Sequence, residues 1–314
     1  MFIDISVLSL SLVILFFGAE FALNASEKIG ERLGLSPMVI GMLLVGFGTS
    51  LPEFFVSHLA CLQNQPGIAL GNIVGSNLGN LLLILGVTGM IVTLPTSGPQ
   101  MRQTFIAHII VTALLALALN FETVNPWTTT ILFVYFFFYL FKLYVEQRKM
   151  KQTDSEIEAP DRKVTKNDAL QFFKMIVGFY GLYFGGELLV TSGTSLCTRL
   201  GWPPYIISAI FVAFGTSFPE LVTSLVACYQ KKETELILGN VIGSNIFNVA
   251  FVLGSLGIYH FPIERDFTIE LTILGVLAMH LFIAGSNRIA FGKKSAAVYL
   301  TGYIALVLYW MNSV

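Results

Sequence analysis

The chain has 314 residues, 55% hydrophobic and only 12% charged, with a mean hydropathy of +0.75. Soluble domains carry about 25% charged residues, so this composition excludes an ordinary water-soluble domain and identifies a membrane protein. The net charge of −1 says little by itself; the positions of the charges say more.

About 20 mainly apolar residues span a bilayer as a helix. On that rule the spans in chain order are 5–24, 37–63, 67–94, 103–120, 126–146, 170–198, 204–230, 235–260, 267–286 and 295–312. The first has no basic stretch before it and no small-residue cleavage site, so it reads as a helix and not as a removed signal. Spans two, three, seven and eight are long and interrupted by Gly, Pro, Ser, Thr and Asn. The fourth, fifth, ninth and tenth are more uniform. Between the fifth and sixth lies the one substantial hydrophilic segment, EQRKMKQTDSEIEAPDRKVTKND at 146–168, which mixes charge signs without apolar periodicity and reads as a solvated linker.

Loop charges orient the whole. The side holding the odd-to-even loops carries sixteen of the eighteen Lys and Arg, while Arg199 and Arg265 lie opposite. By the positive-inside rule the linker is cytoplasmic and both termini face out. Cysteines at 61, 197 and 228 form neither a disulfide framework nor a CxxC pair. The histidines at 58, 108, 260 and 280 lack metalloprotease spacing, and nucleotide and hydrolase motifs are missing. The expectation is a protein that is not an enzyme, with no cofactor, no nucleic-acid partner and no obligatory protein partner.

The chain also repeats itself. GFGTSLPEFFVS at 46–57 returns as AFGTSFPELVTS at 213–224, with seven of twelve identical. GNIVGSNLGNLLLILG at 71–86 returns as GNVIGSNIFNVAFVLG at 239–254, with eight of sixteen identical. GAE at 18–20 answers GGE at 185–187. Five spans per repeat is an odd number, so the second copy enters the membrane from the opposite face. The expected fold is an all-α polytopic membrane protein, ten transmembrane helices in two inverted five-helix repeats, 1–146 and 169–314, joined by a linker at 147–168.

In TSxPE, Pro52 has no N–H for the carbonyl of Gly48 and its ring clashes there. Freed carbonyls within lipid need partners, and a cation is one. Thr49 and Glu53 are four apart and share a helix face; Thr216 and Glu220 repeat this around Pro219. A structural kink would account for one such copy, but not for two in inverted halves. Asn72, Ser76 and Asn80 form a stripe of polar oxygens spaced by four, matched by Asn240, Ser244 and Asn248. Gly75, Gly79 and Gly243 suit close helix packing, which explains the glycines and leaves the oxygens unexplained. Each intramembrane glutamate costs roughly 2.5–3.5 kcal/mol on insertion scales and defaults to an ion or proton pathway. Carboxylates, hydroxyls, amides and carbonyls suit hard cations such as Ca²⁺ or Na⁺. A charge of −2 balances one Ca²⁺, two Na⁺ or two protons, and this competition is the basis of antiport. Glu20 and Glu187 lie near span ends and are as readily interfacial carboxylates as members of an ion path.

Two copies of GTSxPE, each followed by GNxxGSN, resemble the sodium/calcium exchanger family of the cation/calcium exchanger superfamily, in the form of a prokaryotic, plasma-membrane member. The resemblance covers nearly the whole chain. It implies Ca²⁺ ligands at Thr49, Glu53, Thr216 and Glu220, and Na⁺ positions that add Ser76, Ser244 and the carbonyls of Gly46 and Ala213. Asn80 and Asn248 match the remaining central positions, with Ser50 and Ser217 as neighbouring hydroxyls. It further implies Na⁺/Ca²⁺ antiport by alternating access at a midplane site, with the first and sixth helices sliding across the core. Several relatives carry aspartate where this chain has Asn248, so the central charge stays at −2 and K⁺ is expected not to be required. The motif of the calcium/proton branch is absent, which favours Na⁺; Ca²⁺/H⁺ antiport on the same two glutamates is the alternative.

Overall fold

The computed structural model describes residues 2–153, 166–201 and 215–312. Its helices in chain order are α1 Phe2–Leu33, α2 Pro37–Leu62, α3 Pro66–Ile91, α4 Pro99–Leu119 and α5 Pro126–Thr153, then α6 Lys166–Arg199, α7 Phe218–Tyr229, α8 Thr234–Tyr259, α9 Thr268–Ser286 and α10 Lys293–Asn312. Eight of these are long and apolar enough to cross a bilayer. Of the others, α7 begins where the description resumes, and α10 is diluted by Lys293, Lys294 and three tyrosines. The chain is therefore an integral membrane protein of all-α class. Helices α5 and α6 run into the charged segment, α5 to Thr153 and α6 from Lys166. The run EQRKMKQ contains good helix formers and no breaker, so charge alone does not end the helix at the membrane surface.

The core is built from α2, α3 and α8. The principal window of α8 is 94% buried, against 28% for α1, α5 and α6, so α8 is an inner helix and those three form the outer wall. Large exposed side chains such as Phe137, Phe141, Phe172 and Phe173 lie on that wall; in lipid such exposure carries no hydrophobic penalty. Glycine allows the inner backbones to touch. A Cβ on Gly239 would lie 2.3 Å from the Met38 carbonyl oxygen, and one on Gly41 2.2 Å from the Leu236 carbonyl oxygen. Gly243 meets Met42 in the same way, whereas Gly75 and Gly79 have no neighbour within that reach among the described residues. On the outer wall, α1 and α6 are antiparallel and equally close: a Cβ on Gly178 would lie 2.4 Å from the Ala22 nitrogen, and one on Gly18 2.8 Å from the Leu182 nitrogen.

Contacts between loops sort the two ends of the bundle. At one end Arg32 pairs with Asp168 and Lys232 with Glu27. Gln100 donates to Ser36 (2.7 Å), and Leu94 pairs with Phe291. That end gathers the turns after α1, α3, α7 and α9 and the start of α6. At the other end Arg199 pairs with Asp4 (3.3 Å), and a two-stranded antiparallel ribbon, β1 Thr123–Val124 with β2 Phe261–Pro262, joins the turns after α4 and α8.

Candidate functional site

Three of the core helices are not uniformly α. Gly41–Gly46 in α2, Gly79–Leu85 in α3 and Asn248–Leu253 in α8 are π-helical, a widened turn frequent at functional sites. Asn80 and Asn248 both lie at the start of such a turn, in opposite halves. Helix α2 then breaks at Ser50 (φ −88°, ψ 6°), and Pro52 sits in the first turn of the segment that follows, where its missing N–H is least costly. Ser217 repeats that conformation before Pro219 (φ −90°, ψ 5°). Each glutamate thus lies in the first turn of a helix segment, at the end that favours negative charge.

The halves interlock through their side chains. The Ser50 hydroxyl donates to Glu220 Oε1 (3.0 Å) and the Ser217 hydroxyl to Glu53 Oε1 (3.5 Å). Asn72 Nδ2 donates to Ser57 (3.0 Å) while its oxygen accepts from Thr216 (2.9 Å). Asn240 Nδ2 donates to Ser224 (3.1 Å) while its oxygen faces the Thr49 hydroxyl (3.3 Å). Ser76 and Thr216 are 3.3 Å apart, and Ser244 donates to the Gly46 carbonyl (3.1 Å). These contacts bring Thr49, Ser50, Glu53, Ser76, Thr216, Ser217, Glu220 and Ser244 to one crossing of α2, α3, α7 and α8. Asn80 and Asn248 lie one turn beyond Ser76 and Ser244. Ala213 lies outside the described residues. Gly46 is at the crossing, but its carbonyl already faces the Ser50 amide (3.2 Å) and the Thr49 and Ser244 hydroxyls. Pro52 instead deprives the Gly48 carbonyl of its helical donor.

Both glutamates are fully buried, at 0% exposure. Glu53 Oε2, Glu220 Oε2, Asn80 Oδ1 and both amide atoms of Asn248 are buried without a hydrogen-bond partner among the described residues. An unmet buried polar atom costs about 1–3 kcal/mol, more when charged, so five of them in one region call for a ligand. Among the described residues no group of three His, Cys, Asp or Glu could hold a metal; the crossing brings together two carboxylates and neutral oxygens. That set fits a hard cation as cargo.

Sequence reasoning passed over Asn245 and His108. Asn245 stands between the two stripes and accepts from Asn80 Nδ2 (2.9 Å). Its place in the GSN triplet was a usable signal; His108, alone in an apolar helix, offered none. Glu20 is half-buried and Glu187 exposed, and among the described residues neither shares a hydrogen bond with the crossing.

A sequence model of the sodium/calcium exchanger protein family matches residues 4–145 and 170–312. An uncharacterized membrane protein of Methanocaldococcus jannaschii is 30% identical over 302 residues, covering 96% of this chain and 93% of its own. The sodium/calcium exchanger MaX1 of Methanosarcina acetivorans is 28% identical, over 98% of each chain. Among solved structures, the sodium-calcium exchanger NCX_Mj soaked with Na⁺ and Sr²⁺ superposes with a TM-score of 0.81 at 27% identity, over 97% of each chain.

Proposed function

We propose that this chain, which belongs to the sodium/calcium exchanger protein family, is a secondary antiporter that exchanges Na⁺ for Ca²⁺ at the crossing of α2, α3, α7 and α8. The observation that carries this reading is the paired state of the two glutamates. Each has one oxygen held by a serine of the opposite half and the other buried without a partner. Two such carboxylates balance one Ca²⁺ or two Na⁺, so the ions compete for one site and exchange follows from alternate exposure of that site to the two faces. Thr49, Glu53, Thr216 and Glu220 are the proposed Ca²⁺ ligands. Ser76, Ser244, Asn80, Asn248 and the carbonyls of Gly46 and Ala213 add the Na⁺ positions, with Ser50 and Ser217 supporting the carboxylates. Ten membrane helices form two inverted five-helix repeats in a prokaryotic plasma membrane, with the charged 147–168 segment in the cytoplasm. With Asn at 248 the site charge is −2 and K⁺ is not required.

The test is ⁴⁵Ca²⁺ uptake into proteoliposomes loaded with Na⁺, without K⁺. Uptake is expected to follow the outward Na⁺ gradient and to fall about 100-fold or more in Glu53→Gln and in Glu220→Gln, beyond the 10–100-fold loss typical when a residue that only supports a metal ligand is removed. Uptake driven by a pH gradient alone would favour Ca²⁺/H⁺ exchange. Full activity in both variants would dismiss the site.

A further inference from the structure

The asparagines one turn beyond Ser76 and Ser244, Asn80 and Asn248, are held differently. Among the described residues Asn248 has no hydrogen-bond partner for either amide atom. Asn80 is tethered: its Nδ2 donates to Asn245 Oδ1 at 2.9 Å. Asn245 Nδ2 in turn lies 3.3 Å from the Asn77 main-chain carbonyl and 3.3 Å from His108 Nε2. All three side chains are buried, with His108 on α4 at 1% exposure.

The orientation of this chain of contacts follows from its one fixed member. A backbone carbonyl only accepts hydrogen bonds, so the Asn245 group facing Asn77 is the NH₂. The same NH₂ faces His108 Nε2, which must therefore be the bare, accepting nitrogen, with the ring proton on Nδ1, a buried atom that has no partner among the described residues. Asn245 Oδ1 is then turned to Asn80, which meets it with Nδ2. Asn80 Oδ1 is left pointing away, buried and unpartnered. A reversed Asn80 would offer a cation two N–H groups in place of an oxygen.

We propose that His108 and Asn245 are positioning residues that fix the amide of Asn80 so that its oxygen, and not its nitrogen, faces the transported cation. The inference rests on the reading of Asn80 as a cation ligand. It makes the two halves functionally unequal, with an oxygen fixed by hydrogen bonds on α3 and an amide without such a tether among the described residues on α8. Asn77 on α3, the repeat counterpart of Asn245, is occupied otherwise, donating to the Ile73 carbonyl at 2.7 Å.

Three measurements on the full chain test it. Ca²⁺ affinity of purified protein is measured by titration calorimetry, uptake is resolved into KM and kcat, and ring nitrogens are read by ¹⁵N NMR on histidine-labelled protein. His108→Leu is expected to weaken Ca²⁺ binding about tenfold and to raise KM far more than it lowers kcat. His108→Gln, whose amide oxygen again offers an acceptor to Asn245, is expected to recover most of that loss. The spectrum of the wild-type chain is expected to show His108 protonated on Nδ1 and bare on Nε2. Undiminished affinity in His108→Leu, no recovery in His108→Gln, or a proton on Nε2 overturns the proposal. The ring signature is read on the wild-type chain and decides even where the leucine variant does not fold. Ca²⁺ binding without Na⁺-coupled uptake would overturn the proposed exchange alone, with the positioning role still judged by affinity and tautomer.

Discussion

Glu53 and Glu220 show how a cost becomes a site. A lone carboxylate within a membrane helix is expensive, and here each is kept in place by a hydroxyl from the other half, Ser217 for Glu53 and Ser50 for Glu220. These serines hold one oxygen, and the second has no partner among the described residues. Ser50→Ala and Ser217→Ala should therefore weaken Ca²⁺ binding by about tenfold, the lower end of the range for residues that orient a metal ligand, while loss of either glutamate abolishes transport. Equal losses in the serine and glutamate variants, read as Ca²⁺ KM in vesicles, would mean that the serines bind cargo themselves. The pattern TSxPE placed hydroxyl and carboxylate together in the sequence. Only the folded chain shows that each serine serves the glutamate of the other repeat.

The helices explain why these residues meet at all. Helices α2 and α8 touch through bare backbone at Gly41, Gly239 and Gly243, and this contact seats Ser244 on the Gly46 carbonyl. Gly239→Val would force a side chain into the Met38 carbonyl, and overpacking of this kind costs about 1–3 kcal/mol. A lower melting temperature in detergent, accompanied by weaker Ca²⁺ binding, is expected; an unchanged melting temperature would show that the contact gives way freely. The proline was legible as a breaker, but the widened turns beginning at Gly79 and Asn248 were not, because no residue type demands a π turn. They arise where the backbone yields to packing and to a buried polar side chain. The expected glycine face was legible in part: Gly243 packs as the spacing suggested, while Gly41 and Gly239 carry the tightest contacts of the pair.

At the scale of the whole molecule, the ten-span reading puts sixteen of eighteen basic residues on one side, and the loop contacts gather the turns after α1, α3, α7 and α9 at one end of the bundle. If that end is cytoplasmic, a cysteine at Arg265 in a Cys-free chain should react with an impermeant maleimide on intact cells. One at Lys232 should react only after permeabilisation, and the reverse pattern would invert the topology. By itself the sequence determined the membrane class, the duplicated motifs and the two carboxylates, because bilayer thickness sets span length and a buried charge admits few roles. It could not determine which atoms remain without partners. Tertiary structure decided that: helices from the two halves of the chain had to cross before Ser217 could reach Glu53 and before Asn80 could be tied through Asn245 to His108. Such pairings join residues more than a hundred positions apart, and no local rule of spacing encodes them.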